Sequence, residues 1–138
     1  RAFTLFANAS LLDAEIIKSS NPALVGNTPA FSPDYLVRAG FIYDNEQLNA
    51  ALTATLVGDQ YWQDSNQPRG SGDDEIAAEI PAYQVLDFSL TYSFNERWSV
   101  NGGVNNLLDE DYYSRVRADG IEPALERTLY AGFTLDIR

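Results

Sequence analysis

The run from Trp98 to Tyr113, WSVNGGVNNLLDEDYY, and the closing run from Leu129 to Ile137 constrain the fold of this chain more than any other stretch. In steps of two, Trp98, Val100, Gly102, Val104 and Asn106 point one way, and Ser99, Asn101, Gly103 and Asn105 point the other. The closing run sets Leu129, Ala131, Phe133, Leu135 and Ile137 against Thr128, Tyr130, Gly132, Thr134 and Asp136. A period of two with one apolar and one polar face is the pattern of a β-strand. The polar faces hold amides, hydroxyls and glycine rather than the Lys and Glu of a soluble surface. A strand dry on one side and hydrated on the other suits the wall of a transmembrane barrel.

The same alternation recurs upstream. Phe3, Leu5, Ala7, Ala9 and Leu11 oppose Thr4, Phe6, Asn8 and Ser10, and only Phe6 spoils the polar face. Tyr35, Val37, Ala39, Phe41 and Tyr43 form the next dry face, with Arg38 and Gly40 opposite. Leu48, Ala50, Leu52, Ala54 and Leu56 follow, then Leu86, Phe88, Leu90, Tyr92 and Phe94. Two tight turns, Asp44-Asn45-Glu46 and Asn95-Glu96-Arg97, join neighbouring strands. Three longer connections lie near residues 18–33, 59–82 and 109–126. No helical period runs over a comparable length, so the expectation is all-β: an antiparallel up-and-down meander of about six strands.

Connection lengths alternate long, short, long, short, long, which is how outer-membrane barrels divide extracellular loops from periplasmic turns. Strands of about 11 residues, tilted near 45°, give roughly 25 Å of apolar height, as a bilayer needs. Aromatics collect at the strand ends: Phe3, Tyr43, Phe94 and Trp98 toward the turns, and Tyr35, Tyr61, Trp62, Tyr83, Tyr112 and Tyr113 toward the loops. Two such girdles are expected where an apolar ring with a polar tip meets each water interface. The competing architecture is a soluble β-barrel or β-sandwich whose apolar faces meet in a core. It would be a ligand-binding module, for example for carbohydrate, using Trp62 and the tyrosines.

Composition removes other functions. With no His and no Cys there is no Ser-His or Cys-His nucleophile system, no disulfide framework and no thiolate metal site. A net charge of −11 argues against nucleic-acid binding. No apolar run reaches the length of a spanning helix. The chain begins at Arg1 and contains no Met, so it is expected to be part of a larger protein, with any export signal upstream.

Val104-Asn105-Asn106-Leu107-Leu108-Asp109-Glu110-Asp111-Tyr112-Tyr113, followed by Glu126-Arg127-Thr128-Leu129-Tyr130-Ala131-Gly132-Phe133, resembles the C-terminal end of a TonB-dependent outer-membrane receptor. That family shows a V-x-N-L-F-D-x-x-Y strand end and an R-T-x-Y-x-G final strand; Leu108 replaces the usual Phe. Pro29-Ala30-Phe31-Ser32-Pro33 is similar to the P-x-x-S-P that opens a strand in ferric-citrate-type and related siderophore receptors. Ile80-Pro81-Ala82-Tyr83 with Asp87 is similar to a later I-P-x-Y-x-x-x-D. The four matches cover the chain from about Phe31 onward, in order.

The resemblance implies that residues 1–138 are the C-terminal part of a 22-stranded transmembrane β-barrel domain, with the N-terminal plug and earlier strands absent. It implies an outer-membrane receptor of a Gram-negative bacterium that imports a ferric chelate, a siderophore or ferric citrate. TonB would supply the energy through the absent N-terminal part, and outer-membrane lipid would surround the barrel. It implies no enzyme activity, cofactor or structural metal, and it assigns structural motif roles to Asn105, Asn106, Asp109, Tyr112, Arg127, Thr128 and Gly132. The family generally ends on an aromatic residue, and the dry-face register places one at position 139.

Candidate ligand-binding residues are Arg115 and Arg117, whose planar forks suit carboxylate or phosphate oxygens, with Tyr61, Trp62 and Tyr113 at the mouth. Loop salt bridges to Asp119 or Glu122 compete for the two arginines, and a girdle role competes for the aromatics. Arg38 is expected to pair with an acid across the lumen, and Asp109 to accept backbone hydrogen bonds where its strand ends. Asp73, Asp74 and Glu75 fit no EF-hand spacing and read as a solvated acidic loop. Asp73 with Glu75 as an acid-base pair of an outer-membrane enzyme ranks last. Six strands from a larger barrel would leave two unpaired edges. These are expected to be protected by closure, by a second copy or by folded-over loops.

Overall fold

The computed structural model describes residues 2–67 and 79–137. The strands among these residues are β1 (Ala2–Leu11), β2 (Tyr35–Asp44), β3 (Leu48–Val57), β4 (Gln60–Tyr61), β5 (Glu79–Ile80), β6 (Tyr83–Ser93), β7 (Trp98–Asn105), β8 (Tyr113–Arg117), β9 (Gly120–Pro123) and β10 (Thr128–Leu135). The one helical element among the described residues is a single 3₁₀ turn, Pro22–Leu24, capped by the Asn21 side chain. Six strands form one antiparallel sheet in the order β1-β2-β3-β6-β7-β10, an up-and-down meander.

Register keeps the two faces apart. Leu5 pairs with Phe41, Phe41 with Leu52, Leu52 with Phe88, Phe88 with Val104, and Val104 with Leu129. One apolar row therefore crosses all six strands. A slip of one residue at any seam would turn the apolar residues of the displaced strand to the polar side. Both short turns use one device. The Asn45 side-chain oxygen accepts from the Gln47 and Leu48 amides at 2.8 Å, and the Asn95 oxygen accepts from Arg97 and Trp98 at 2.9 and 3.0 Å. An Asx turn of this kind closes a hairpin with a single side chain.

Among the described residues the sheet carries no second layer. Although 45% of the chain is hydrophobic, the buried apolar residues among those described are Val57, Ile80 and Val116, with Asn106 the buried polar one. All four lie at the loop end. Mid-strand residues of the inner strands such as Phe41 and Leu52 are 39% and 38% exposed, and Leu5 and Phe133 on the edge strands 80% and 72%. Among the described residues there is no apolar interior of the kind a soluble sandwich requires.

Several sequence expectations need correction. The longer connections are not plain loops: β4–β5 and β8–β9 are small antiparallel hairpins inside the second and third. The final strand ends at Leu135 rather than Ile137. Among the described residues no loop or strand covers the sheet edges: β1 pairs there with β2 alone, β10 with β7 alone, and every residue of β10 is exposed. The sheet stays open: among the described residues β1 and β10 are its two ends and do not pair with each other. Arg38 stands opposite Asn8 and Thr55 in the ladder and makes no ion pair among the described residues, which leaves the expected partner across the lumen untested by this sheet. Asp73, Asp74, Glu75 and Arg138 lie outside the described residues.

Candidate functional site

The three longer connections meet beyond one end of the sheet. Residues 27–31 of the first lie along residues 61–66 of the second, joined by side chains that reach across. Asn66 accepts from the Thr28 amide at 2.6 Å and donates to the Thr28 carbonyl at 2.8 Å. Asp64 accepts from the Ala30 amide at 2.8 Å, while its carbonyl receives the Asn27 side-chain amide at 2.8 Å. The Phe31 amide donates to the Tyr61 carbonyl at 2.7 Å. This clasp holds Phe31 at φ 56°, in the left-handed region. There a bulky residue pays roughly 1–3 kcal/mol and persists only when its neighbours over-determine it.

The third connection is aimed by a knot at the end of β7. Asn106 is buried with φ 52°. Its amide donates to Asp87 Oδ1 at 2.9 Å, and its side-chain oxygen accepts from the Glu110 amide at 2.9 Å. Its side-chain nitrogen donates to the carbonyls of Glu110 and Leu125, at 2.9 and 3.3 Å. Asp109, also left-handed at φ 59°, accepts from the Arg127 amide at 2.8 Å and pairs with the Arg127 guanidinium at 2.9 Å. Glu110 precedes the β8–β9 hairpin and Leu125 and Arg127 follow it, so Asn106 and Asp109 tie down both of its ends. Asn105 closes β7 opposite Thr128, and Thr128 Oγ1 donates to the Glu126 carbonyl at 3.0 Å. Gly132 stands opposite Asn101, whose side-chain oxygen occupies the space a Cβ would need.

Between the clasp and the hairpin opens a hollow of about 520 Å³, lined by Phe31, Trp62, Arg115, Val116, Arg117 and Ala118. Three residues singled out from sequence thus come together: Trp62, Arg115 and Arg117. The indole nitrogen of Trp62 is buried and has no hydrogen-bond partner among the described residues. Arg117 reaches Glu122 at 3.7 Å with both side chains more than half exposed, a contact worth about 0–1 kcal/mol. Arg115 makes no ion pair among the described residues. A hollow with two guanidinium groups, one of them unpaired, and two aromatic faces can take an anionic ligand with an unsaturated or apolar rim. No group of three or more acidic residues that could hold a metal ion occurs among the described residues.

Two other candidates sit elsewhere. Tyr61 lies in β4 and contributes the carbonyl that receives Phe31. Tyr113 lines a separate cavity of about 260 Å³ with Pro81, Ala82, Asp111 and Tyr112, beside the stack of Tyr112 on Tyr83 at 4.3 Å. Phe31 and the clasp residues Asp64 and Asn66 escape sequence reasoning. They carry no periodicity, and their partners lie 30 to 38 residues away.

A single-layer meander with one unbroken apolar face, one polar face and its long connections gathered at one end is a segment of β-barrel wall. The chain belongs to the TonB dependent receptor-like β-barrel family, which it matches over residues 2–107. It is 31% identical over 93 residues to the ferric enterobactin receptor PirA of Pseudomonas aeruginosa, covering 64% of this chain and 12% of that protein. Its fold is similar to that of the unliganded ferric citrate transporter FecA, with a TM-score of 0.84 and 24% identity over 96% of this chain and 21% of that one. The ferric yersiniabactin uptake receptor FyuA of Yersinia pestis gives a TM-score of 0.78 at 21% identity, over 99% of this chain and 21% of that one.

Proposed function

We propose that this chain is the C-terminal part of the barrel domain of an outer-membrane receptor that imports a ferric chelate, a siderophore or ferric citrate, into a Gram-negative bacterium with energy from TonB. The apolar face meets acyl chains and the amide-lined face looks into a hydrated lumen. The three long connections form part of the ligand mouth, with Trp62, Arg115 and Arg117 on its wall and Tyr61 and Tyr113 nearby. No chemical step is assigned to the chain: it binds and passes a ligand. One observation carries this reading: the hollow where Arg115, without an acidic partner, stands beside Trp62 and Phe31. PirA, by its name a receptor for ferric enterobactin, supports the choice of ligand class.

The test is equilibrium binding of radio-iron-labelled ferric enterobactin and ferric citrate to the full-length parent and to its Arg115→Glu, Arg117→Glu double variant. Reversing two charges at the mouth is expected to weaken the bound chelate by at least about tenfold. Undiminished affinity in a folded double variant removes both arginines from the site.

A further inference from the structure

Phe31 is the one large apolar residue among those described that takes a left-handed backbone, and it does so on the wall of the hollow. Left alone, a phenylalanine in this setting would relax to an extended conformation, moving its ring away from Trp62 and the β8 arginines. Its own amide is fixed to the Tyr61 carbonyl, and the residue before it is fixed to Asp64. Three residues upstream, Asn66 grips both the amide and the carbonyl of Thr28. Asn66 is itself left-handed at φ 49°, a conformation that Asn tolerates well. Neither Asp64 nor Asn66 lines the hollow.

We infer that Asp64 and Asn66 are positioning residues for the ligand mouth, acting through Phe31, whose ring they hold against the ligand as a specificity-determining wall. The inference rests on the proposed binding role of the hollow and adds the parts that shape it. A bound chelate touches Phe31 and Trp62, while Asp64 and Asn66 act only by keeping the first connection on the second. The clasp is made of neutral and charge-assisted hydrogen bonds to backbone amides, which an alanine cannot replace.

Two measurements on the full-length parent test it. Hydrogen exchange read by mass spectrometry on peptides covering residues 27–31 is expected to show protection that is lost in Asp64→Ala and Asn66→Ala. Binding of ferric enterobactin and ferric citrate is then followed through a double-mutant cycle. Phe31→Ala and Asp64→Ala are each expected to weaken the chelate that binds by about tenfold, and the pair by little more than either alone. Asp64→Asn, which keeps an accepting oxygen, is expected to restore most of the affinity. Unprotected amides in the parent would show that the clasp is absent and overturn the inference. So would additive effects of Phe31→Ala and Asp64→Ala, or unchanged affinity in Asp64→Ala when Arg115→Glu does weaken binding. If the parent binds neither chelate, the receptor reading fails for these ligands, and the positioning role falls with it.

Discussion

Phe6 stands directly across the ladder from Gly40, and its ring fills the space that a side chain at position 40 would occupy. Tyr130 repeats the arrangement over Gly103 at the other edge of the sheet. Each edge strand thus lays an aromatic ring over a glycine of its inner neighbour, on the polar face. Such pairs restore contact area that a glycine in a strand lacks.

At Gly40 the closest obstacle to a Cβ is the Phe6 ring, with the Leu52 carbonyl next at 3.0 Å. Gly40→Ala in the parent is therefore expected to destabilise the barrel by about 1–3 kcal/mol, and most of that loss should return in a Phe6→Ala background. Urea unfolding in detergent micelles gives the comparison. An undiminished penalty in the double variant would show that the Leu52 backbone, not the ring, sets the limit.

Gly103 is expected to behave differently. There a Cβ would press on the backbone carbonyl of Phe88 as well as on Tyr130, and a main-chain oxygen cannot swing aside. Gly103→Ala should remain destabilising after Tyr130→Ala, by the same urea measurement.

Asn106 and Arg127 both belong to the knot below the β8–β9 hairpin, yet they should differ in weight. Asn106→Ala strips a buried residue of its bonds to Glu110 and Leu125, with an expected loss of roughly 2–4 kcal/mol. The Arg127 guanidinium is nearly half exposed against Asp109, so Arg127→Ala should cost no more than about 1 kcal/mol. Asp109→Ala, which also loses the acceptor for the Arg127 amide, should fall between them. Thermal unfolding of the three variants ranks them, and a larger loss for Arg127→Ala than for Asn106→Ala would contradict the order.

Acyl chains against the apolar face would make Leu52→Arg expensive, by about 2–4 kcal/mol near the middle of the bilayer. Its chain neighbour Thr53 faces the other way, opposite Gly40 and Asp87, and Thr53→Arg should cost far less. Folding of the parent into lipid vesicles at graded urea concentrations measures both. Equal penalties would mean that the two faces see the same solvent.

The six long strands are legible because each keeps its period of two for at least eight residues and its two faces differ in kind. Order and register follow from that contrast, since only one alignment keeps Leu5, Phe41, Leu52, Phe88, Val104 and Leu129 in line. The hairpins β4–β5 and β8–β9 are not legible: two to five residues are too few for a period. Arg115, Arg117 and Trp62 could be picked out by chemical type alone. Phe31 could not, because its place depends on a backbone angle imposed from another loop. Phe6, the exception on an otherwise polar face, did carry a signal. An aromatic ring on that side calls for a glycine across the ladder, and Gly40 is there.

The paired use of Asn45 and Asn95 has a consequence for assembly. Each side chain closes its own hairpin with bonds made within three residues, so β2–β3 and β6–β7 can zip from their turns without waiting for distant chain. The seams β1–β2, β3–β6 and β7–β10 instead close across residues 12–34, 58–82 and 106–127 and carry a larger loop-closure entropy. The wall is thus expected to start from two ready-made hairpins, with the three wider seams joined later. Pulsed amide labelling would see those three seams protected last.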